Sequence, residues 1–92
     1  MSAVLARFLR ENRLLGDVEE QRVMAAWQSA AGAGLRERAR PVRFRAGELV
    51  VEVSSAAHLQ ELENFRGEGL RRSANRELGA ERIRRVRYQP KR

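Results

Sequence analysis

A chain of 92 residues has material for one thin hydrophobic core and none for a second. Hydrophobic residues make up 42% and charged residues 34%, which lies on the folded side of the disorder boundary with a dense ionic coat. Nineteen Lys and Arg against twelve Asp and Glu give +7, and with no cysteine and one histidine a disulfide framework, a thiolate metal site and a histidine-centred catalytic cluster are excluded. The excess of positive charge favours a polyanionic partner. Lys91 is the only lysine, so nearly all of that charge is guanidinium, which stays ionised and grips phosphate through parallel donors. GC-rich coding explains much of the preference for Arg over Lys, but not the net charge. Arg7 and Arg10 interrupt the amino-terminal apolar residues before a signal peptide can form, and no apolar run approaches membrane-spanning length. The expected setting is the cytoplasm, in association with the nucleoid.

From Ala3 to Leu15, the residues Val4, Leu5, Phe8, Leu9 and Leu15 recur at spacings that predict an amphipathic helix over 3–15. Surface helices normally bury one side, so Leu5, Phe8 and Leu9 are expected to pack on the domain rather than to form an exposed stripe. Gly16 is read as the stop of this helix, and Asp17 with Glu20 as a capping-box-like start of the next. That second helix, Val18 to about Ala31, has the stripe Val23, Met24, Trp27, Ala30 and Ala31. Trp27 is therefore a core residue before it is a base-stacking one. Gly32 and Gly34 end the helix, and a basic connector leads to Pro41.

The period then switches to two. Val42 and Phe44 alternate with Arg43 and Arg45, Ala46-Gly47 supplies a turn, and Leu49, Val51 and Val53 alternate with Val50 and Glu52, which predicts a β-hairpin with one buried face. Ser54 and Ser55 are N-cap residues for a further helix with Leu59, Leu62 and Phe65 on one stripe. Gly67 and Gly69 interrupt it, helical spacing resumes through Leu70, Ala74 and Leu78, and Gly79 is the C-cap, giving two short helices or one kinked one. Arg82 to Tyr88, closed by Pro90, reads as a terminal strand.

The expected fold class is α+β in the order α-α-β-β-α-α-β, with a three-stranded sheet covered by helices on one face in a single domain. After the leading helix this order matches the K-homology (KH)-like arrangement of the second type. The Gly-x-x-Gly loop of nucleic-acid-binding KH domains is not intact, because the corresponding turn is Arg66-Gly67-Glu68-Gly69, where Glu68 repels phosphate.

Residues 18–88 resemble the DciA-type family, bacterial proteins that load or operate the replicative DNA helicase. The likeness runs from Trp27 and Gly32 through Pro41-Val42-Arg43-Phe44-Arg45-Ala46-Gly47-Glu48-Leu49-Val50-Val51-Glu52-Val53 and Ser54-Ser55-Ala56-Ala57-His58-Leu59-Gln60-Glu61-Leu62 to Leu78-Gly79 and the strand from Ile83 to Tyr88. It implies a KH-like core without enzymatic activity, cofactor or small-molecule substrate. The implied partners are the hexameric helicase and DNA, single-stranded by expectation. Many members place an aromatic where this chain has His58, and many carry this domain beside a long flexible extension that is not among these 92 residues.

Arg43 and Arg45, like Arg85 and Arg87, lie two apart and hence on one sheet face, where they form a guanidinium plane for a phosphate backbone. Arg82, Arg84, Arg36, Arg38 and Arg40 widen it. Solubilising an exposed face and guarding edge strands is the alternative service of such residues. His58, Leu59 and Leu62 are the candidate partner contacts, with His58 equally readable as a first-turn residue without a partner. Glu61 and Glu63 point to different helix faces and make no paired-carboxylate site. Two other functions fit the same composition: an RNA- or ribosome-associated KH-like module, and a pure protein-interaction domain.

Overall fold

The computed structural model describes the backbone of residues 3–91 and the side chains of residues 18–91. Helix α1 spans Ala3–Arg36, so the expected stop at Gly16 and restart at Asp17 do not occur. One glycine in a helix interior costs only about 1 kcal/mol, too little to break a rod whose flanks are both helical. The side chains of Leu5, Phe8, Leu9 and Asp17 lie outside the described residues. The helical path is broken instead at Gly32 (φ 84°, ψ 167°) and then resumes as far as Arg36. Val23, Ala26, Trp27, Ala31 and Leu35 form its buried stripe, with Met24 and Ala30 half-buried beside them.

Strands β1 (Ala39–Arg45) and β2 (Glu48–Val53) pair antiparallel around Ala46-Gly47. Both turn residues have positive φ, 52° and 81°, which is the two-residue hairpin turn whose twist matches that of the strands. The register slips between Pro41 and Arg43, a β-bulge that leaves Val42 unpaired and 39% exposed. Val42 therefore does not share the buried face with Phe44 as simple alternation predicts, because a bulge inserts one residue into the period of two.

After β2, Ser55 caps helix α2 (Ala56–Glu61) by accepting the His58 N–H at 3.4 Å. The rod continues without interruption through a wider π turn, Leu62–Arg66, into helix α3 (Gly67–Leu78). Gly67 donates to Leu62 O across that turn, and the lower rotation per residue of an i→i+5 helix carries Phe65 off the expected stripe. Phe65 is 80% exposed, whereas Leu62 remains at 1%. Gly67 does not interrupt the helix. It is required there by close approach, since a Cβ would lie 2.6 Å from the Tyr88 ring. Gly79, with φ 75°, ends α3 as expected.

Strand β3 (Arg85–Pro90) lies parallel to β2, giving the mixed sheet order β1-β2-β3. The segment from Arg82 to Arg84 precedes the strand rather than belonging to it. Asn75, 3% exposed, pins this connector by exchanging two 2.9 Å hydrogen bonds with the main chain of Ile83. Arg71 adds a 2.8 Å bond to the same carbonyl and pairs with Glu68 and Glu81. The core joins Trp27 and Val23 of α1, Leu49, Val51 and Val53 of β2, Leu62, Leu70 and Ala74 of the helical rod, and Ile83.

Candidate nucleic-acid interface

Pairing register determines which side chains share the outer face of the sheet. Three rows cross it: Arg45, Glu48 and Arg85; Arg43, Val50 and Arg87; Arg40, Glu52 and Gln89. The bulge at Val42 brings Arg40 onto the same face as Arg43 and Arg45, which strict alternation would have opposed. Strand spacing of about 4.8 Å puts the β1 and β3 arginines roughly 10 Å apart, with about 7 Å between neighbours along one strand. Two rails of guanidinium thus flank a central strand carrying Glu48 and Glu52.

Val50 points to this outer face yet is only 3% exposed. It forms the floor between Arg43 and Arg87, which are exposed and line the same depression. Two shallow depressions of about 300 and 370 Å³ meet at Val50, one reaching Arg45 and Arg85 and the other reaching Val42 and Gln89. None of the outward positions in the three rows is aromatic.

Five arginines therefore face two glutamates. Arg85 is held by Glu48 at 2.8 Å, while Arg40, Arg43, Arg45 and Arg87 make no ion pair with a carboxylate among the described residues. The remaining basic candidates divide. Arg84 is exposed, with its stem against the Gly47 turn at the hairpin end of the sheet. Arg36 and Arg38 are exposed at the opposite end, where Arg36 Nε donates to Gln28 O at 3.3 Å and Ser54 donates to Arg38 O. Arg82 is drawn toward α1 by Glu19 at 3.0 Å, so it does not extend the rails.

The three candidate partner residues are not a surface trio. Leu62, the first residue of the π turn, is in the core, and Leu59 of α2 is half-buried against it. His58 is half-buried, and its Nδ1 has no hydrogen-bond partner. Trp27 is wholly buried, 6.4 Å from the Tyr88 ring. Burial pushes the Tyr88 phenol up to about 12, and its hydroxyl reaches Gly67 O at 3.4 Å.

Sequence periodicity missed Asn75 and Arg71, which set where β3 begins and thereby the alignment of one rail with the other. An Asn inside a helical pattern gives no sign of being buried. The segment Arg66-Gly67-Glu68-Gly69 holds no loop, since it is helical throughout. Glu68 is exposed and bonded to Arg71 at 2.6 Å, which lowers its pKa chiefly through that hydrogen bond. A phosphate-cradling turn is absent from that position. Among the described residues no group of three His, Asp or Glu side chains can hold a metal ion, and no helix is long and apolar enough to cross a membrane.

The model of one protein family, described as Dna[CI] antecedent, DciA, matches residues 1–88. No curated protein matches the chain.

Proposed function

The chain belongs to the DciA family of bacterial replicative-helicase loaders, and on that premise we propose that it is a non-catalytic adaptor that holds DNA on the outer face of its sheet while assisting placement of the helicase. The element order α1-β1-β2-α2-α3-β3 supports reading the domain as KH-like, with a binding mode unlike that of a Gly-x-x-Gly domain. The observation that carries the proposal is the middle row, in which Arg43 and Arg87 stand on either side of buried Val50 with no carboxylate paired to either. Guanidinium heads on two rails supply parallel donors to phosphate oxygens. Spacing along each rail is comparable with the distance between successive phosphates.

The three rows carry no aromatic, so base stacking adds nothing on this face and phosphate contacts alone supply its affinity for DNA. Contact through phosphates alone is independent of sequence, as a helicase loader acting along a chromosome requires. Single-stranded DNA exposed at an opening fork is the form such an adaptor meets in the cytoplasm. The helicase is the protein partner, reached from the helical side, where His58 and Leu59 remain the candidate contacts.

Fluorescence anisotropy with a labelled single-stranded oligonucleotide tests the reading. With about three phosphates neutralised, log affinity should fall against log salt with a slope of about −2. Replacing Arg43, Arg45 and Arg87 with Glu should abolish binding and leave helicase capture by the purified protein intact. Salt-insensitive binding, or undiminished affinity in the triple variant, would refute the assignment of the outer face. Recovery of ribosomal subunits instead of helicase would favour the RNA-associated alternative.

A further inference from the structure

The two edges of the sheet are finished differently. On β1, Pro41 has no N–H, the bulge at Val42 disrupts the edge, and the Phe44 N–H is taken by Glu20 Oε2 of α1 at 3.1 Å. These are the devices by which proteins close a sheet edge against further pairing. Strand β3 has an unbroken register with β2 from Arg85 to Pro90. Its direction is fixed at both ends, since Arg85 N donates to Gly47 O at 3.2 Å and Lys91 N to Val53 O at 2.9 Å. Main-chain groups two apart point the same way, so the odd-numbered residues 85–91 bond β2. The N–H and C=O groups of Val86 and Tyr88 face outward, and they find no partner among the described residues.

Alongside this edge runs an open groove of about 640 Å³ between β3 and the helical rod, lined on its apolar side by Leu62, Val86 and Tyr88. Gly67 keeps it shallow, because the Tyr88 ring lies against that residue. Glu63 and Glu68 stand on the helical rim, where they oppose a phosphate backbone. On the other side of the strand, Arg85 and Arg87 project from the outer face.

We infer that the β3 edge is a strand-addition site for an extended segment of a partner protein in which apolar residues alternate with acidic ones. Such a segment would complete the bonds of Val86 and Tyr88, as in other cases of β-augmentation. Side chains of an added strand alternate between faces. Those on the inner side meet the groove of Leu62, Val86 and Tyr88, and those on the outer side meet Arg85 and Arg87. Alternation of apolar and acidic residues is therefore the pattern complementary to both. A second copy of the chain is a poor occupant, because edge-to-edge pairing would oppose the arginines of two bodies each carrying +7. Pro90, lacking an N–H, limits the site to the length of β3.

Amide hydrogen exchange followed by NMR on the full chain tests the inference, with a short capped peptide alternating valine and glutamate as the probe. The Val86 and Tyr88 amides should slow by about tenfold or more on saturation, while the Arg87 amide, already in the ladder, should not change. A peptide of the same composition with its valines and glutamates in blocks should give no such protection. Val86→Pro removes one outward donor and leaves the β2 ladder intact. It should abolish the peptide effect at Tyr88 without altering DNA affinity. If that variant does not fold, the pattern in the unaltered chain decides alone. Equal protection by the block peptide, no protection, protection by a single-stranded oligonucleotide instead, or peptide-independent dimerisation through β3 would each overturn the inference. DNA binding by the outer face is measured separately, so failure here leaves that reading untouched.

Discussion

Strand β2 serves two unlike faces. Leu49, Val51 and Val53 point inward and are buried beneath Trp27 and the helical rod, whereas Glu48, Val50 and Glu52 point outward between two rows of arginine. The inner face derives its free energy from apolar area removed from water. The outer face, Val50 apart, contributes little to folding and gathers four arginines without a carboxylate partner among the described residues onto one surface. A division this sharp means that substitutions on the two faces should affect different measurements, folding on one side and nucleic-acid affinity on the other.

Trp27→Ala gives the largest expected effect on the inner face. It empties the centre of a core that has little redundancy, and should cost about 3–5 kcal/mol, read as a lower denaturation midpoint. A loss below about 1 kcal/mol would mean that the inner face is not the source of stability. Asn75→Ala follows at about 1–3 kcal/mol, because it leaves the buried Ile83 N–H without its acceptor while the Ile83 carbonyl keeps only Arg71. Its second consequence is positional. Loosening the connector before β3 should weaken DNA binding although Asn75 touches no outward residue, an effect that links the faces through strand alignment.

Tyr88 supplies a pH-dependent measure of the same inner face. Its phenol is pushed up to about 12 from 10.0 by burial, so the folded chain holds the proton more tightly than the unfolded chain does. The stabilisation is fully present below pH 10 and is lost as pH rises through about 12. The gap corresponds to roughly 2–3 kcal/mol. Tyr88 is the only tyrosine, so phenolate absorbance reports it directly, and a midpoint near 10 in the folded protein would show that the ring is solvated.

Periodicity made parts of both faces legible. A spacing of two was enough to place Arg43 with Arg45 and Arg85 with Arg87, and the stripe around Trp27 followed from helical spacing. Strand order, and the parallel pairing that brings β3 against β2, depend on contacts between distant segments and leave no local pattern. Val42 and Phe65 were misplaced for related reasons: a bulge and a π turn each change the phase between sequence position and direction without changing residue type. Gly16 and Gly67 look like interruptions in the sequence because glycine weakens a helix locally, yet both lie within continuous helical rods. Tertiary packing offsets that cost at Gly67, where the Tyr88 ring requires the missing Cβ. The burial of Leu62 is legible in its helical stripe, and at 1% exposure it has no surface to offer a partner.

The smallest effect on folding, and the sharpest separation of the faces, belongs to Glu48→Gln. Glu48 holds Arg85 at 2.8 Å, with the arginine side chain 78% exposed, and such a pair contributes about 0–1 kcal/mol to stability. Its removal should therefore leave the denaturation midpoint nearly unchanged. For an anionic ligand the same change has two favourable consequences: it frees a guanidinium on the β3 rail, and it deletes a negative charge between the rails. Affinity for a single-stranded oligonucleotide should rise severalfold at low salt, and one added phosphate contact should steepen the salt slope by about 0.7. Improved binding without a change in slope would indicate relief of repulsion with Arg85 still disengaged, and unchanged binding would place the DNA away from the hairpin end of the sheet, toward Arg40 and Gln89.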